Sequence, residues 1–451
     1  MSRFVAVDRQ TSYLLPPSVD EWLPDDHLAR FVVEVIEQLD LSEITRQYAG
    51  RGSAAHHPAV LLALLIYGYA SGVHSSRKIE RATYDSVAFR YVAANTHPDH
   101  DTLANFRRRF LKQVEALFVQ VLVLAREMKL LKLGHIALDG TKVGANASKH
   151  RALSWAHANR IEAQLQGEVQ TLLALAEASD RAAIPDGMDV PAEIARRKDR
   201  LSAIAQAKAK IEERAAERHQ IEQQEYEAKI AHRQAQRDAG HKPRGKEPEP
   251  PQAGPADKDQ VNLTDEESRI MPVSGGGFAQ SYNAQAGVDV DTMLVLTRHV
   301  SQACNDKLEV VPTLEQITAL PAVLGEVQTL ITDNGFYSQA NVIACQDAGI
   351  APLLALKRQG HHTPVMERFA ADAPPPETTN PLVQMAHRLG TQAGRALYGL
   401  RKQTVEPVFG IIKRVMGWRQ MSMRGFEQAQ GEWNLVTMAW NIKRMHVLRA
   451  A

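Results

Sequence analysis

The chain has 451 residues, which is more than one ordinary core holds, so two or three packed units are expected. Hydrophobic residues make up 44% and charged residues 23%, which excludes a disordered chain, and two cysteines exclude a disulfide framework. The net charge is +1, yet from residue 381 onward eleven lysines and arginines face three acids, a net charge of +8. Such a segment is typical of a polyanion-binding surface, although a solvated helix face has the same composition.

Residues 20 to 132 are predicted to be mostly helical. Apolar residues recur at helical spacing from Ala29 to Leu39, and Pro58 opens an apolar helix through Tyr69. The run from Val60 to Ala70 is well short of the roughly 18 apolar residues that a membrane span needs. It therefore predicts a buried helix.

Three shorter helices are expected next, beginning at Ser75 or Ser76, at about Ser86, and at Asp101 or Thr102. A short helix, a tight turn and a helix with a polar start are typical of a helix-turn-helix. That arrangement would place three consecutive arginines near DNA phosphate: Arg107, Arg108 and Arg109. A helical bundle with an exposed arginine face explains the same pattern, and both interpretations stay open.

The pattern changes to a strand at residues 133 to 146, where an apolar run leads into Asp139 and Gly140 is expected to end the strand. Residues 148 to 237 are again helical and highly charged. Two heptad stripes joined by the turn AAIPDGMDVP predict an antiparallel helical hairpin. The stripes consist of Ile161, Leu165, Val169 and Leu172, and of Ile194, Leu201, Ile204 and Ile211. Residues 238 to 260, rich in proline and charge, predict a loop or disordered linker.

From residue 275 onward, strands alternate with helices. Two adjacent strands joined by a turn at Asp289 to Thr292 are followed by a helix, a strand that ends at Asp333, a helix and a strand. After a proline-rich loop at 370 to 381 the chain is expected to be helical to its end. These elements predict an α/β domain over 133 to 451, interrupted by the hairpin and the linker, behind an all-α N-terminal domain over 1 to 132.

Two acids follow predicted strands, Asp139 in IALDGT and Asp333 in LITDNG. Carboxylates at the carboxyl ends of neighbouring strands converge on one point, although a single aspartate there is more often a turn former. A third acid, Glu406, lies among apolar residues of a predicted helix that is expected to start or kink at Pro407. Tyr282, Asn283 and Gln285, on the strand expected beside that of Asp139, either orient this site or are structural.

Two aspartates and one glutamate suit phosphodiester chemistry with two divalent ions. Mg²⁺ prefers oxygen ligands, and two ions roughly 4 Å apart activate the attacking oxygen and stabilise the leaving one. Asp139 would bridge the ions, Asp333 would complete one and Glu406 the other. Mn²⁺ suits an all-oxygen site equally well.

Several motifs recur in the order found in one family. They are GRGSAAHHPAVLLALLIYGYASGVHSSRKIERATYDSVAFRYVAANTHPDHDTLANFRRRF, LDGTKVGANASKH, YNAQAGVD, ITDNGFYS and RALYGLRKQTVEPVFGIIK. With them the chain resembles a bacterial insertion-sequence transposase of the DDE class. The resemblance implies a retroviral-integrase-like (RNase H-like) mixed sheet flanked by helices, metal-dependent cleavage at the element's ends and strand transfer of the 3′-hydroxyl. It assigns the catalytic and metal-binding roles to Asp139, Asp333 and Glu406.

Many members of that class also have a Tyr-Arg-Glu-Lys signature on the last catalytic helix. The candidates for phosphate contact here are Tyr398, Arg401, Lys402 and Lys413. Four residues separate Arg401 from Glu406 where three are usual, whereas Lys402 has the usual separation but lies one place late relative to Tyr398. Both cations therefore stay candidates.

The resemblance implies DNA as the partner, both the terminal inverted repeats and the target, with a homodimer on the paired ends. The heptad stripe suits a dimer contact or an intramolecular coiled coil. With no signal-peptide pattern and free cysteines, the chain is expected in the cytoplasm, associated with the nucleoid. The alternatives are a non-catalytic DNA-binding protein derived from a transposase and a nuclease without strand transfer.

Overall fold

The computed structural model describes residues 18–48, 55–178, 188–243, 245–273, 275–356 and 371–450. The chain forms two compact units. The main unit comprises Met1–Asn146, Met271–Gly277 and Ser281–Ala451, and the inserted unit comprises Ala147–Ile270 and Phe278–Gln280.

The first part of the main unit is helical, as the sequence predicts. Its helices are α1 (Leu28–Glu37), α2 (Ser42–Thr45), α3 (Pro58–Ser71), α4 (Ser76–Asp85), α5 (Val87–Val92), α6 (His100–Arg109) and α7 (Leu111–Glu127). Helix α3 begins with Pro58, is capped by the His57 side chain, and ends at Gly72, whose φ of 87° is left-handed. Nearly all of α3 is buried, so it is a core helix.

The third predicted short helix is observed as two separate helices. Helices α6 and α7 are separated at Phe110, which leaves helical geometry with its side chain buried. The N-cap is Asp99 and not Asp101 or Thr102, because the Asp99 carboxylate accepts a hydrogen bond from Thr102 N at 2.7 Å. Asp101 instead lies in the first turn, where an acid is favourable to the helix dipole.

Strand β1 (His135–Gly144) comes next, and it is longer than predicted. Gly140 does not end it, because β1 continues to Gly144 in antiparallel register with a long later strand. Asp139 is therefore a residue within a strand and not the last residue of one.

The inserted unit contains β2 (Ala152–Ser154), α8 (Trp155–Ala178), α9 (Val190–Asp238) and β3 (Gln260–Asn262), with β2 antiparallel to β3. Ion pairs of 2.6 Å join Arg197 to Glu168 and Lys208 to Glu162, so the two helices run antiparallel. The predicted stripes supply the buried seam between them: Leu165, Ile204 and Ile211, with Ile161 and Leu201 partly buried against them. The stripes thus pack within one chain, and most of the predicted turn lies outside the described residues.

The segment that follows α9 has no helix or strand among its described residues up to position 259. It nevertheless contacts α9, because Asp259 pairs with Arg218 at 2.9 Å and Glu247 pairs with Arg233 at 3.6 Å.

The rest of the main unit builds one mixed sheet. Its further strands are β4 (Arg269–Pro272), β5 (Phe278–Asp289), β6 (Val295–Ser301), β7 (Thr329–Thr332) and β8 (Ala351–Leu354). The order is β4-β5-β1-β7-β8, with β6 also paired to β5. Strands β1, β5 and β6 are antiparallel, whereas β7 is parallel to both β1 and β8. This is the RNase H-like mixed sheet that the resemblance implies.

Helices flank this sheet, namely α10 (Val310–Thr318), α11 (Gln339–Asp347), α12 (Pro381–Gly390), α13 (Gln392–Gly399), α14 (Arg401–Arg414) and α15 (Phe426–Arg449). Residues 415–425 interrupt the expected C-terminal helix. Helix α15 contacts α3, α7 and β6, so residues on both sides of position 132 share one core.

Among the described helices, none is by itself both long and apolar enough to cross a membrane, although α3 and α4, bent by 94°, pass that test together.

Candidate active site

The fold brings the strands of the first two predicted acids together. Strand β1 pairs in parallel with β7 from His135 to Ala137, and Asp139 lies two residues beyond that pairing. Asp333 follows β7 directly and caps a short turn, since its Oδ1 accepts a hydrogen bond from Gly335 N at 2.8 Å. The first two acids therefore lie at the same edge of the sheet, where parallel strands direct their carboxyl ends.

Arg401 joins the first acid to the third. One guanidinium nitrogen lies 3.1 Å from Asp139 Oδ2 and another lies 3.2 Å from Glu406 Oε1. Arg401 is 8% exposed, whereas the Glu406 side chain is 49% exposed. Helix α14 carries both Arg401 and Glu406, with Pro407 inside it, so the helix passes through the position where a start or kink is predicted. Burial raises the pKa of the nearby Tyr398 phenol, and the charge of Arg401 acts against that rise.

The electrostatics of Asp139 reflect this crowding of acids. Burial raises the pKa of Asp139 to about 6, and the charges of Asp333 and Asp306 act in the same direction. Arg401 opposes them, as does the hydrogen bond from Gly140 N at 2.8 Å. Burial lowers the pKa of Arg401, but its acidic neighbours outweigh burial and the net shift is upward. The site thus holds negative charge that Arg401 balances only in part.

Lys413 attaches the other end of α14 to β1. Its Nζ donates to Thr141 Oγ1 at 2.5 Å and to the backbone oxygen of Lys142 at 2.8 Å. Burial, followed by the nearby charge of Lys142, lowers the pKa of Lys413. Lys402, adjacent to Arg401, is exposed. Of the two cations that the sequence leaves open, Arg401 is the one that reaches the acids.

The three N-terminal arginines are not among the residues that contact these acids. Arg107 faces inward, since it donates to Tyr69 Oη at 3.1 Å. Arg108 is exposed, and Arg109 is exposed with its guanidinium 5.8 Å from the centre of the Tyr48 ring.

One acid beside the site was missed by the sequence analysis. Asp306 Oδ1 accepts hydrogen bonds of 2.7 Å from both Asn283 Nδ2 and Gln285 Nε2. Asp306 lies in a loop five residues after β6, so a search for acids at strand ends passes over it. The signal that could have found it is the pair Asn283 and Gln285, because two buried amides on one face of a strand need a polar partner.

The donors of the three predicted acids fit Mg²⁺ or Mn²⁺, because they are all carboxylate oxygens with an unbalanced negative charge. In the part of the chain that the structure describes, however, no three His, Cys, Asp or Glu side chains are close enough to hold an ion together. Arg401 lies between Asp139 and Glu406, where its guanidinium bridges the two carboxylates.

A helical N-terminal region ahead of an RNase H-like mixed sheet is consistent with the fold of transposases with a DDE catalytic domain. Residues 17–109 match the family described as Transposase domain (DUF772), and residues 258–442 match the family described as Transposase DDE domain. The chain therefore belongs to the insertion-sequence DDE transposases. No curated protein and no solved structure matches it significantly. Asp333 and Glu406 lie within the DDE match, whereas Asp139 precedes it, ahead of the inserted unit.

Proposed function

We propose that this transposase cleaves DNA at the ends of an insertion sequence and joins the resulting 3′-hydroxyl to target DNA, using Asp139, Asp333 and Glu406. The observation that carries the proposal is the contact of Arg401 with both Asp139 and Glu406, because it brings the acid of α14 to the strand that carries the first acid. Members of the DDE family generally use divalent metal ions.

Asp139, Asp333 and Glu406 would hold two Mg²⁺ ions, for which Mn²⁺ can substitute. The ions would supply activation of the attacking oxygen and stabilisation of the leaving one. For Asp139 to act as a ligand, its carboxyl must be ionised, and the positive charge of Arg401 beside Oδ2 favours that form. The Arg401 guanidinium would also contact the DNA phosphate, for which its planar fork is well suited.

Two displacements at phosphorus make up the reaction. In the first, a water oxygen bonds to the phosphorus at the element's end, and the 3′ oxygen leaves and takes up a proton. In the second, that 3′-hydroxyl loses its proton and bonds to a target phosphorus, and a target 3′ oxygen leaves. Arg401, Tyr398 and Lys413 orient the phosphate, and Lys413 stays near β1 through Thr141.

DNA recognition is assigned to the helical domain over residues 1 to 132. Arg108 and Arg109 are exposed at the end of α6 and would contact phosphate, while Arg107 holds α6 to α3 through Tyr69. Two protomers, acting at the nucleoid in the cytoplasm, would pair the two terminal inverted repeats. The hairpin 148–237 and the segment 238–260 form an insertion in the catalytic domain 133–451.

The experiment is cleavage of an end-labelled duplex that carries the inverted repeat flanking the gene, with Mg²⁺. Wild-type protein is compared with Asp333→Asn and with Asp347→Asn, an exposed acid of α11, as the control. The proposal predicts nicking at the element boundary by wild type and by the control, and binding without cleavage by Asp333→Asn. Equal cleavage by Asp333→Asn would place the active site elsewhere.

A second arm separates transposition from the two alternatives. Pre-cleaved ends with a free 3′-hydroxyl are incubated with a circular plasmid, and joined products are sought. Joining supports the transposase. Cleavage without joining indicates a nuclease, and binding with neither indicates a non-catalytic DNA-binding protein.

A further inference from the structure

Behind strand β1, on the face opposite Asp139, lies a polar cluster formed by Lys142, Asn283, Gln285 and Asp306. The register pairs Gly140 with Gln285 and Lys142 with Asn283. Because side chains of a strand alternate between faces, these residues lie on one face while Asp139 and Thr141 lie on the other. Asp306 accepts hydrogen bonds from both amides, and Lys142 Nζ lies 3.5 Å from its Oδ1.

The cluster packs directly against the backbone of β1 at the residue after Asp139, because position 140 is a glycine. A Cβ atom at Gly140 would clash with Gln285 Nε2 and would lie 2.6 Å from Asp306 Oδ1. The Asp306 carboxylate therefore touches the backbone next to Asp139. A side chain at Gly140 would displace it.

On its other side, Asp306 faces the second acid. A Cβ atom at Gly335 would lie 3.0 Å from Asp333 Oδ1 and 3.8 Å from Asp306 Oδ2. Both carboxylates thus border the same small space. Asp306 lies between the backbone beside Asp139 and the carboxylate of Asp333.

A second observation concerns how firmly the Asp306 carboxylate is held. Asn283 and Gln285 have fully buried side chains, yet Asn283 Oδ1 and Gln285 Oε1 have no hydrogen-bond partner. A buried acceptor left unpaired costs about 1–3 kcal/mol. Both amides turn their nitrogens to Asp306 Oδ1, so the buried pair holds the carboxylate in one place beside β1.

We propose that Asp306 is a fourth acid of the catalytic centre, a positioning residue that strengthens divalent-cation binding beside Asp139 and Asp333. The proposal rests on the proposed function. Asp306 acts through its negative charge and through the fixed place that the two amides give it, without contact to the DNA. Lys142 has the opposite effect, because its ammonium offsets that charge at 3.5 Å.

The test measures cation binding without DNA and without activity. Thermal unfolding of the full chain is followed as Mn²⁺ is added, and the Mn²⁺ concentration that gives half of the stabilisation is the midpoint. Asp306→Asn keeps the shape of the side chain and an acceptor oxygen for the amides but removes the charge. We expect its midpoint to rise about tenfold, as loss of one nearby charge in a partly buried site implies. Asp347→Asn is the matched control and keeps the wild-type midpoint.

Lys142→Gln supplies a prediction of opposite sign, in case Asp306→Asn is poorly folded. Loss of the ammonium leaves the charge of Asp306 unbalanced, so the Mn²⁺ midpoint is expected to fall several-fold. If this ion pair had only a structural role, both substitutions would instead raise the Mn²⁺ midpoint.

Three results would overturn the proposal. A wild-type midpoint that Asp306→Asn leaves unchanged shows that Asp306 only satisfies the amides, and the proposed function then stands without it. A midpoint that rises in Lys142→Gln also overturns it. A wild-type protein that Mn²⁺ does not stabilise at all contradicts the metal-dependent function itself, and this proposal with it.

Discussion

Arg401 is a buried cation placed between two acids that belong to different elements. Such a residue stabilises the metal-free site by balancing charge, and breaking a buried pair leaves the remaining charge uncompensated. A lysine would not replace it, because one ammonium cannot reach Asp139 and Glu406 with separate nitrogens. Lys402, one position along the helix, is exposed.

This difference predicts the outcome of two neighbouring substitutions. Arg401→Ala is expected to reduce DNA cleavage by about 100-fold, a loss comparable to removal of one preorganised cation or donor. Lys402→Ala is expected to stay within about twofold of wild type, since surface charges contribute little. Cleavage rates at saturating DNA measure both. A larger loss in Lys402→Ala than in Arg401→Ala would mean that Lys402 is the phosphate contact.

Asp289 gives a pH dependence away from the candidate active site. The side chain is 1% exposed, and burial raises its pKa from 3.8 to about 6. Between these values the folded state binds more protons than the unfolded state, so stability falls as pH rises through that window and stays lower above it. The ionised carboxylate keeps hydrogen bonds from Thr292, but its Oδ1 has no partner.

Asp289→Asn is therefore expected to stabilise the protein by about 1–2 kcal/mol near pH 7.5, where it removes a buried charge. The gain is expected to vanish near pH 4, where the wild-type carboxyl is protonated. Thermal unfolding at the two pH values measures it, with exposed Asp291→Asn as the control. A gain that is equal at both pH values would contradict the assignment.

The sequence identifies a candidate acid when its neighbours in the chain form an apolar strand or helix pattern. Asp139 and Asp333 each come after a buried apolar run, and Glu406 lies among apolar residues of a helix. Asp306 follows no such rule, because its importance depends on Gly140 and Gly335, which are close to it only in the folded chain. The choice between Arg401 and Lys402 likewise depends on which side of α14 faces β1.

For helices and strands, the sequence predicts the type of each element better than the residues at which it begins and ends. Strand β1 runs four residues past Gly140, because β5 is long enough to pair with it up to Gly144. A glycine commonly marks a strand's end, but here it marks a close approach of another side chain. Pro407 lies inside α14, where the helix has already begun at Arg401 and packs its apolar residues on the sheet.

The helical hairpin offers a test at this scale. Ile211 of α9 is 1% exposed in the seam with α8, whereas Ile221 of the same helix is 59% exposed. Ile211→Ala is expected to destabilise the inserted unit by about 3 kcal/mol, and Ile221→Ala by less than about 0.5 kcal/mol. Hydrogen exchange of α8 amides measures the difference. Equal exchange in the two variants would mean that the seam does not hold the hairpin together.

At the scale of the whole molecule, the main unit is tied together by contacts that no local pattern reveals. Glu432 of α15 is fully buried and accepts a 2.9 Å hydrogen bond from Tyr69 of α3, 363 residues away. The same carboxylate accepts hydrogen bonds from Ser422 and from Trp418, in the segment after α14. Burial, with the nearby Glu432 charge, raises the pKa of Tyr69, so the phenol stays protonated and donates. Separate helical and α/β parts follow from periodicity, but their shared core does not.

We propose that Asp139, Asp333 and Glu406, distant in sequence, hold divalent ions at one place. Fe²⁺ exchanged into the protein with ascorbate and peroxide produces radicals that cut the polypeptide beside the ion. Cuts are expected near all three residues in the same preparation, suppressed by excess Mg²⁺ and lost in Asp333→Asn. Cuts confined to other segments, or cuts that neither Mg²⁺ nor the substitution affects, would contradict it.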